Sequence, residues 1–367
     1  MLTLTVNGQR YEGWTGVSVS TAVDQAVSNF DISLTERWAG SDGRVQDKPW
    51  VIVPGSVCTV QLDGDLVITG YVDTYSPSLA ATAHDVRVIG RSKTCDVVDC
   101  SAVVPSGQFS GYSLAQIAQA LCRQVNVGVK IGAAIGAAFP DVQVQQGETI
   151  FELIERLSRL RALLVSDDEG GNLVLTRVGT QRAADTLAQG RNILSGSANL
   201  SIADRFSDYI VKAQQAPSDD IPGISATEVI GSDKDPGVTR YRPKLIIAED
   251  QADTATSAER ARWEHMTRAA KGVEVNLRVQ GWRQGNGALW RKNTLVRVTS
   301  DWLGVDRDLL IAGLTYKLDS GGTVCDMRLS PPEAFTPEPI DPDKALGSGG
   351  SGLYNIIDQD LKSGGKQ

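Results

Sequence analysis

The sequence predicts a mainly β fold interrupted by one α+β insertion. Three stretches carry that prediction. From Val273 to Pro331, apolar and polar residues alternate, with Val273, Val275, Leu277 and Val279 on one side and Glu274, Asn276, Arg278 and Gln280 on the other, as in a sheet with one buried face. Residues 1–93 alternate similarly around Asn7-Gly8 and Asp63-Gly64, dipeptides suited to the positive φ of a tight hairpin turn. Between these regions, residues 94–189 change to helical spacing behind two capping boxes, Ser113 with Gln116 and Thr149 with Glu152.

Taken in order, Leu2–Val6 and Gln9–Thr15 form the first expected hairpin. Ser20–Asn29 reads as a short helix, because Val23, Ala26 and Val27 fall at helical spacing, and Phe30, Ile32 and Leu34 resume a strand. Val57–Leu62 and Leu66–Val72 flank Asp63-Gly64 as a second hairpin, and Val86 and Val88 belong to one further strand.

In the insertion, Leu114, Ile117, Ala118, Leu121 and Cys122 mark one helix face, and Ile150, Leu153, Ile154, Leu157 and Leu160 mark another. Ala162–Arg177 is a hairpin turning at Asp167–Gly171. The small-residue run Gly132–Pro140 lacks the lysine and the strand-to-helix setting of a phosphate loop, so it reads as a packed turn.

Strand character returns over Asn192–Gln214, with Leu200, Ile202, Tyr209 and Val211 as candidate buried positions. Residues 215–240, rich in Pro, Gly, Ser and Asp, read as a surface excursion. A helix over Ser257–Lys271, with Trp263, Met266 and Ala270 along it and Gly272 closing it, leads into the final stretch. That stretch reads as one antiparallel meander through Thr294–Thr299, Leu309–Leu318 and Thr323–Leu329. Residues 334–367 form an extended Pro/Gly/Ser-rich tail around a short apolar island of Leu353, Tyr354, Ile356 and Ile357, a composition expected to order only along a partner.

A chain of 367 residues implies two or three domains. With 41% hydrophobic and 22% charged residues, and no apolar run long enough to span a bilayer, no membrane association is expected. The N-terminus alternates like a strand and lacks the basic head of a secretory signal, so the chain is expected to stay in the cytoplasm after synthesis. Five scattered cysteines without a CxxC pair, and only two histidines, argue against a zinc site or a disulfide framework and for buried free thiols. A net charge of -8 opposes capture of nucleic acid.

No catalytic, cofactor or metal constellation emerges. Asp167, Asp168 and Glu169 read as a solvated turn beside Gly170-Gly171. His265 lacks a second ligand nearby, and His84 beside Asp85 lacks any nucleophile motif. Trp282, Trp290 and Trp302 are the candidate interface residues of the last stretch, since aromatic side chains bury area at low entropic cost.

Three segments together resemble the baseplate hub proteins of Mu-like contractile-tailed bacteriophages, a tail hub family shared with the spike hubs of type VI secretion machines. They are PGSVCTVQLDGDLVITGYVD at 54–73, GETIFELIERLSRLRALLVSDDEGGNLVLTRVG at 147–179, and the run from Gly281-Trp282-Arg283 through Leu289-Trp290 and Leu309-Leu310-Ile311 to Gly321-Gly322-Thr323. The resemblance implies two similar twisted, β-barrel-like tube domains, at 1–93 and at 190–214 plus 241–333, with a small α/β domain at 94–189 between them. It further implies a non-enzymatic homotrimer forming a pseudo-six-fold ring in the virion baseplate. Such a ring joins the tail tube, or a tube-initiator protein, to the central spike, contacts other baseplate proteins and encloses the DNA channel. The alternative reading is a tail-associated cell-wall hydrolase, against which no paired carboxylates on a cleft-forming scaffold are found.

Overall fold

The computed structural model describes residues 1–36, 52–80, 84–161, 163–213, 229–247 and 254–336. Its first seven strands are β1 (Leu2–Val6), β2 (Gln9–Tyr11), β3 (Gly16–Ala22), β4 (Asn29–Glu36), β5 (Val57–Leu62), β6 (Asp65–Leu79) and β7 (His84–Ser92). The expected turn chemistry is present: Asn7, Gly8, Asp63 and Gly64 all have positive φ, from 49° to 89°, which closes the β1–β2 and β5–β6 hairpins in the sense that strand twist favours.

The inserted unit follows as α1 (Cys95–Asp99), β8 (Gln108–Tyr112), α2 (Leu114–Cys122), β9 (Val129–Ile131), β10 (Phe139–Gln143), α3 (Ile150–Arg159), β11 (Leu164–Asp167) and β12 (Leu173–Thr176). Both capping boxes form. Ser113 and Thr149 accept from the backbone N–H groups of Gln116 and Glu152, whose side chains reach back to the cap N–H groups. Ile150, Leu153, Ile154 and Leu157 on α3 pack with Leu114, Ile117 and Leu121 on α2 in a core separate from the main one, each buried side chain contributing about 1.5–3 kcal/mol. Ser113→Ala and Thr149→Ala are each expected to destabilise the chain by about 1 kcal/mol in urea denaturation.

The remaining elements are β13 (Leu187–Ala188), β14 (Ile193–Leu200), β15 (Asp208–Ala213), β16 (Val229–Lys234), β17 (Pro243–Ile247), α4 (Thr254–Lys271), β18 (Val273–Gln280), β19 (Leu295–Ser300), β20 (Val305–Asp319) and β21 (Gly322–Ser330). Thirteen strands form one sheet, in the order β14-β18-β21-β20-β3-β4-β7-β6-β5-β1-β2, with β19 beside β20 and β13 beside β19. The chain is thus mostly β, as its alternation predicts, with several sheets and a few helices.

Strand β20 makes that continuity possible. Its first part pairs with β19, from Ser300↔Val305 to Leu295↔Leu310, and its second part pairs with β3, from Gly313↔Ala22 to Leu318↔Val17. Between the two parts a register shift at Ile311/Gly313 frees the Ala312 carbonyl, which accepts from the Val23 N–H at 2.7 Å. Bulges bend a strand and re-aim it in this way. The apolar faces of both halves consequently merge into one core that holds Phe30, Ile32 and Val88 together with Val298, Leu309 and Tyr316.

Several expectations are corrected. Ser20–Asn29 is not a helix: β3 runs on to Ala22 because β20 pairs with it, and Val23 and Ala26 are buried in turns. The last four strands are not a simple meander, since β18 pairs with β21 and so skips β19 and β20. Leu200 and Ile202 are 57% and 47% exposed, whereas Tyr209 and Val211 are fully buried. Part of the expected excursion is a strand, β16, in a three-stranded sheet of its own with β15 and β17.

Helix α4 covers that small sheet with a face that is largely polar: Ser257, Ala261, Glu264, Thr267 and Ala270 are buried, while Met266 is 42% exposed. Glu264 holds Arg260 and Arg268 at 3.3 and 2.7 Å, and His265 Nδ1 lies 2.8 Å from Asp233. The helix lies so close to β16 that a Cβ on Gly231 would meet the Ser257 backbone at 2.1 Å. Small inward residues are what that approach requires.

Candidate functional site

Two features of this architecture bear on function: a buried polar junction that fixes the modules to one another, and the exposed margins of the large sheet. The junction is built on Asp167, at the end of β11, whose side chain is 1% exposed. One carboxylate oxygen accepts from the Ser28 N–H at 2.9 Å and the other from the Ser28 hydroxyl at 3.0 Å. Lys292 reaches in from the segment before β19 and donates to Asp167 at 2.6 Å, to the Ser166 hydroxyl at 2.8 Å and to the Ala22 carbonyl at 3.1 Å. All three ammonium hydrogens are therefore used.

Asp167 is thus no solvated turn residue, and the reading of Asp167–Glu169 as a free loop tip is corrected. The tip docks on the first strands, with Thr69 donating its hydroxyl proton to the Glu169 carbonyl at 2.9 Å. Asp168 is held by Lys130 at 2.6 Å and by the Asn172 backbone N–H at 2.9 Å. One signal for Asp167 was present in the sequence, because Leu163, Val165 and Asp167 alternate onto one buried face. Lys292 carried none.

The two ends of the sheet differ. At one end β2 has three residues, and Arg10 is bound to Glu12 at 2.7 Å, a short charged edge of the kind that resists further pairing. At the other end β14 has eight residues, ILSGSANL, without a charge. Its outer edge pairs with no other strand among the described residues, and Leu194 is 53% exposed.

Three family models match the chain in succession. "Mu phage baseplate assembly protein GpP-like, N-terminal" covers residues 1–92, "Baseplate hub protein gp44-like, second domain" covers 94–177, and "Mu phage baseplate assembly protein GpP, fourth domain" covers 253–338. The chain is also 32% identical over 358 residues to the baseplate hub protein gp44 of Escherichia phage Mu, across 95% of this chain and 92% of that protein. The chain belongs to the Mu-like baseplate hub family. The 43 kDa tail protein of prophage MuSo2 from Shewanella oneidensis superposes with a TM-score of 0.80 at 33% identity, over 92% of this chain and 99% of that one. At the level of fold alone, the E. coli c3393 protein, a component of the type VI secretion system, matches with a TM-score of 0.53 at 11% identity over 92% of this chain and 79% of its own.

In this Mu-like hub the three candidate tryptophans take different positions. Trp282 and Trp290 are buried in the chain's own core at 3% and 2% exposure; the Trp282 indole N–H donates to the Lys317 carbonyl at 3.0 Å, and the Trp290 carbonyl accepts from the Tyr316 hydroxyl. Trp302 is 87% exposed in the turn between β19 and β20. That turn lies against β14, because a Cβ on Gly196 would come within 3.4 Å of Leu303. Trp302 therefore lies in a turn beside β14, exposed where Trp282 and Trp290 are buried. Leu353, Tyr354, Ile356 and Ile357 lie outside the described residues.

The cysteines of the hub are unpaired, and Cys58, Cys95, Cys122 and Cys325 are buried. Burial pushes the Cys58 and Cys122 thiols up to about 12, which keeps them protonated and chemically inert.

Proposed function

We propose that three copies of this chain close into a ring that serves as the structural hub of a Mu-like phage baseplate. The ring joins the tail tube to the central spike and encloses the channel through which DNA leaves. In each copy, residues 1–93 and the strands of 190–214 plus 241–333 that enter the large sheet supply two tube domains. The inserted unit of 94–189 projects from them over 94–177, while the end of that segment returns to the large sheet, where β13 pairs with β19. The extended C-terminal tail engages a neighbouring baseplate protein through Leu353, Tyr354, Ile356 and Ile357.

The observation that carries this reading is the continuous sheet with unequal ends. A subunit whose two halves are already joined strand to strand at β3–β20 needs only one further joint per copy to close a ring, and β14 offers an uncharged edge for it. Membership in the baseplate hub family supports the same reading and gives no support to the hydrolase alternative.

The test is the mass in solution of the purified chain, beside a peptidoglycan-clearing assay on the same preparation. An inert trimer is expected; a stable monomer that clears cell wall would overturn the proposal. A variant carrying Leu194→Asp and Trp302→Ala is expected to keep the melting temperature of the folded subunit while weakening association at least about 100-fold, the loss typical of removing a central anchor. An unchanged trimer in that variant at micromolar concentration would place the joint elsewhere.

A further inference from the structure

The face of the large sheet opposite its core is largely polar from β14 to β6, with Tyr71, Ile89 and Val324 as apolar members, and its charges are arranged in a way that the hub reading does not require. The alternation passes unbroken through the β3–β20 seam. Val19 and Tyr316 are paired and buried on the core side, while the neighbouring Ser20 and Thr315 hydroxyls meet at 2.9 Å on the open side.

Arginines are spread along this open face, and each is tied to a carboxylate. Arg87 on β7 donates to Asp31 on β4 at 2.9 Å. Arg91 on β7 donates to Asp73 on β6 at 2.7 Å, with Asp99 also within 2.9 Å. Arg278 on β18 donates to Asp326 on β21 at 2.6 Å, and Lys317 on β20 takes the other oxygen of the same carboxylate at 2.8 Å. Arg328 on β21 donates to Asp24, in the turn after β3, at 2.6 Å. The Arg278 guanidinium, aided by Lys317, holds the Asp326 carboxyl down at about 2 against the opposing effect of burial.

These pairs are half-exposed, and such pairs add little stability. What they do change is the field above the sheet. A guanidinium bound to a neighbouring carboxylate has its charge offset and part of its fork occupied, so it offers a phosphate less net charge and fewer donors. Between the pairs the face carries Ser18, Ser20, Ser33, Asn29 and Thr315, which are small and uncharged.

We infer that this open face is the one turned toward the lumen of the ring, and that its aspartates silence its arginines so that a passing polyphosphate duplex is not retained. The inference rests on the ring proposed above and adds the surface that contacts the cargo and the residues that keep that surface from binding.

The experiment uses the full-length chain. An Asp31→Asn/Asp73→Asn/Asp326→Asn variant is compared with a control of equal charge, Asp141→Asn/Asp204→Asn/Asp301→Asn, whose carboxylates are off this face. Binding of a short linear DNA duplex is followed by fluorescence anisotropy across a salt series, with linear and covalently closed circular DNA as competitors.

Wild type and control are expected to retain no duplex. The open-face variant should bind it, with a salt slope steeper by about 0.9 for each arginine that meets a phosphate. Linear DNA should compete and closed circles should not, because a closed circle cannot thread a ring. Binding equal to that of the control would overturn the masking role while leaving the trimer intact. Equal competition by circles would place the face on the outside, and a monomeric wild type would refute the ring itself. Asp326→Asn alone, which frees Arg278 and Lys317, gives the same comparison against Asp301→Asn should the triple variant not fold; no gain in duplex binding by Asp326→Asn would overturn the inference.

Discussion

Lys292→Met is expected to destabilise the folded chain by about 3–5 kcal/mol, the cost of leaving a buried charge without its partner. The Asp167 side chain is 1% exposed and would keep only the two Ser28 donors once the ammonium is gone. The Ser166 hydroxyl and the Ala22 carbonyl would lose a donor in the same step. Urea denaturation measures the loss, and a cost under about 1 kcal/mol would show that water or a rearranged neighbour replaces the ammonium. A Lys292→Met/Asp167→Leu double variant should be less destabilised than the sum of its single changes, because two residues in one network couple by about 0.5–3 kcal/mol. The loss should also be local in its consequences. Since Lys292 lies before β19, Ser28 before β4 and Asp167 at the end of β11, the junction ties the inserted unit to both halves of the large sheet. Limited proteolysis of the variant should therefore release the unit around 94–177 intact, because its two capped helices share a core of their own.

How much of this was legible in the sequence depended on whether the deciding partner was close along the chain. Strand alternation, the Asn7-Gly8 and Asp63-Gly64 turns and both capping boxes are local, and the structure has them where the sequence put them. Ser20–Asn29 went the other way because local spacing of Val23 and Ala26 competed with pairing to β20, almost three hundred residues later, and the pairing won. Helix α4 was found, but its buried side only in part: apolar spacing gave Ala270, which is buried, together with Met266, which is 42% exposed, and it gave neither Ala261 nor Thr267, while close approach of the backbone at Gly231 buries Ser257. Lys292 could not have been read at all. Its acceptors are 125, 126 and 270 residues away, and nothing in the segment around it distinguishes a buried lysine from a surface one. The tryptophans show the same limit in reverse, since three residues of one type in one stretch are split between core and surface by the course of β20.

Tyr316→Ala is expected to be the most damaging single change at the seam. The side chain is fully buried, pairs through β20 with Val19 of β3, and donates its hydroxyl proton to the Trp290 carbonyl. Truncating a buried aromatic residue costs about 3–5 kcal/mol, part of it for the cavity left behind. Tyr316→Phe keeps the ring and removes only the hydroxyl, so its cost should fall to about 1–3 kcal/mol for a buried carbonyl left without that donor. Hydrogen exchange separates a local defect from a seam defect. Because one core contains Phe30 and Val88 as well as Leu309 and Met327, protection in Tyr316→Ala should fall in β3 and β4 along with β20 and β21. Loss confined to β19–β21 would mean that the two halves hold their cores separately and that the β3–β20 pairing is only a contact between them. Loss on both sides would mean that the subunit already behaves as a single arc of the proposed ring, with the weaker joint left to β14.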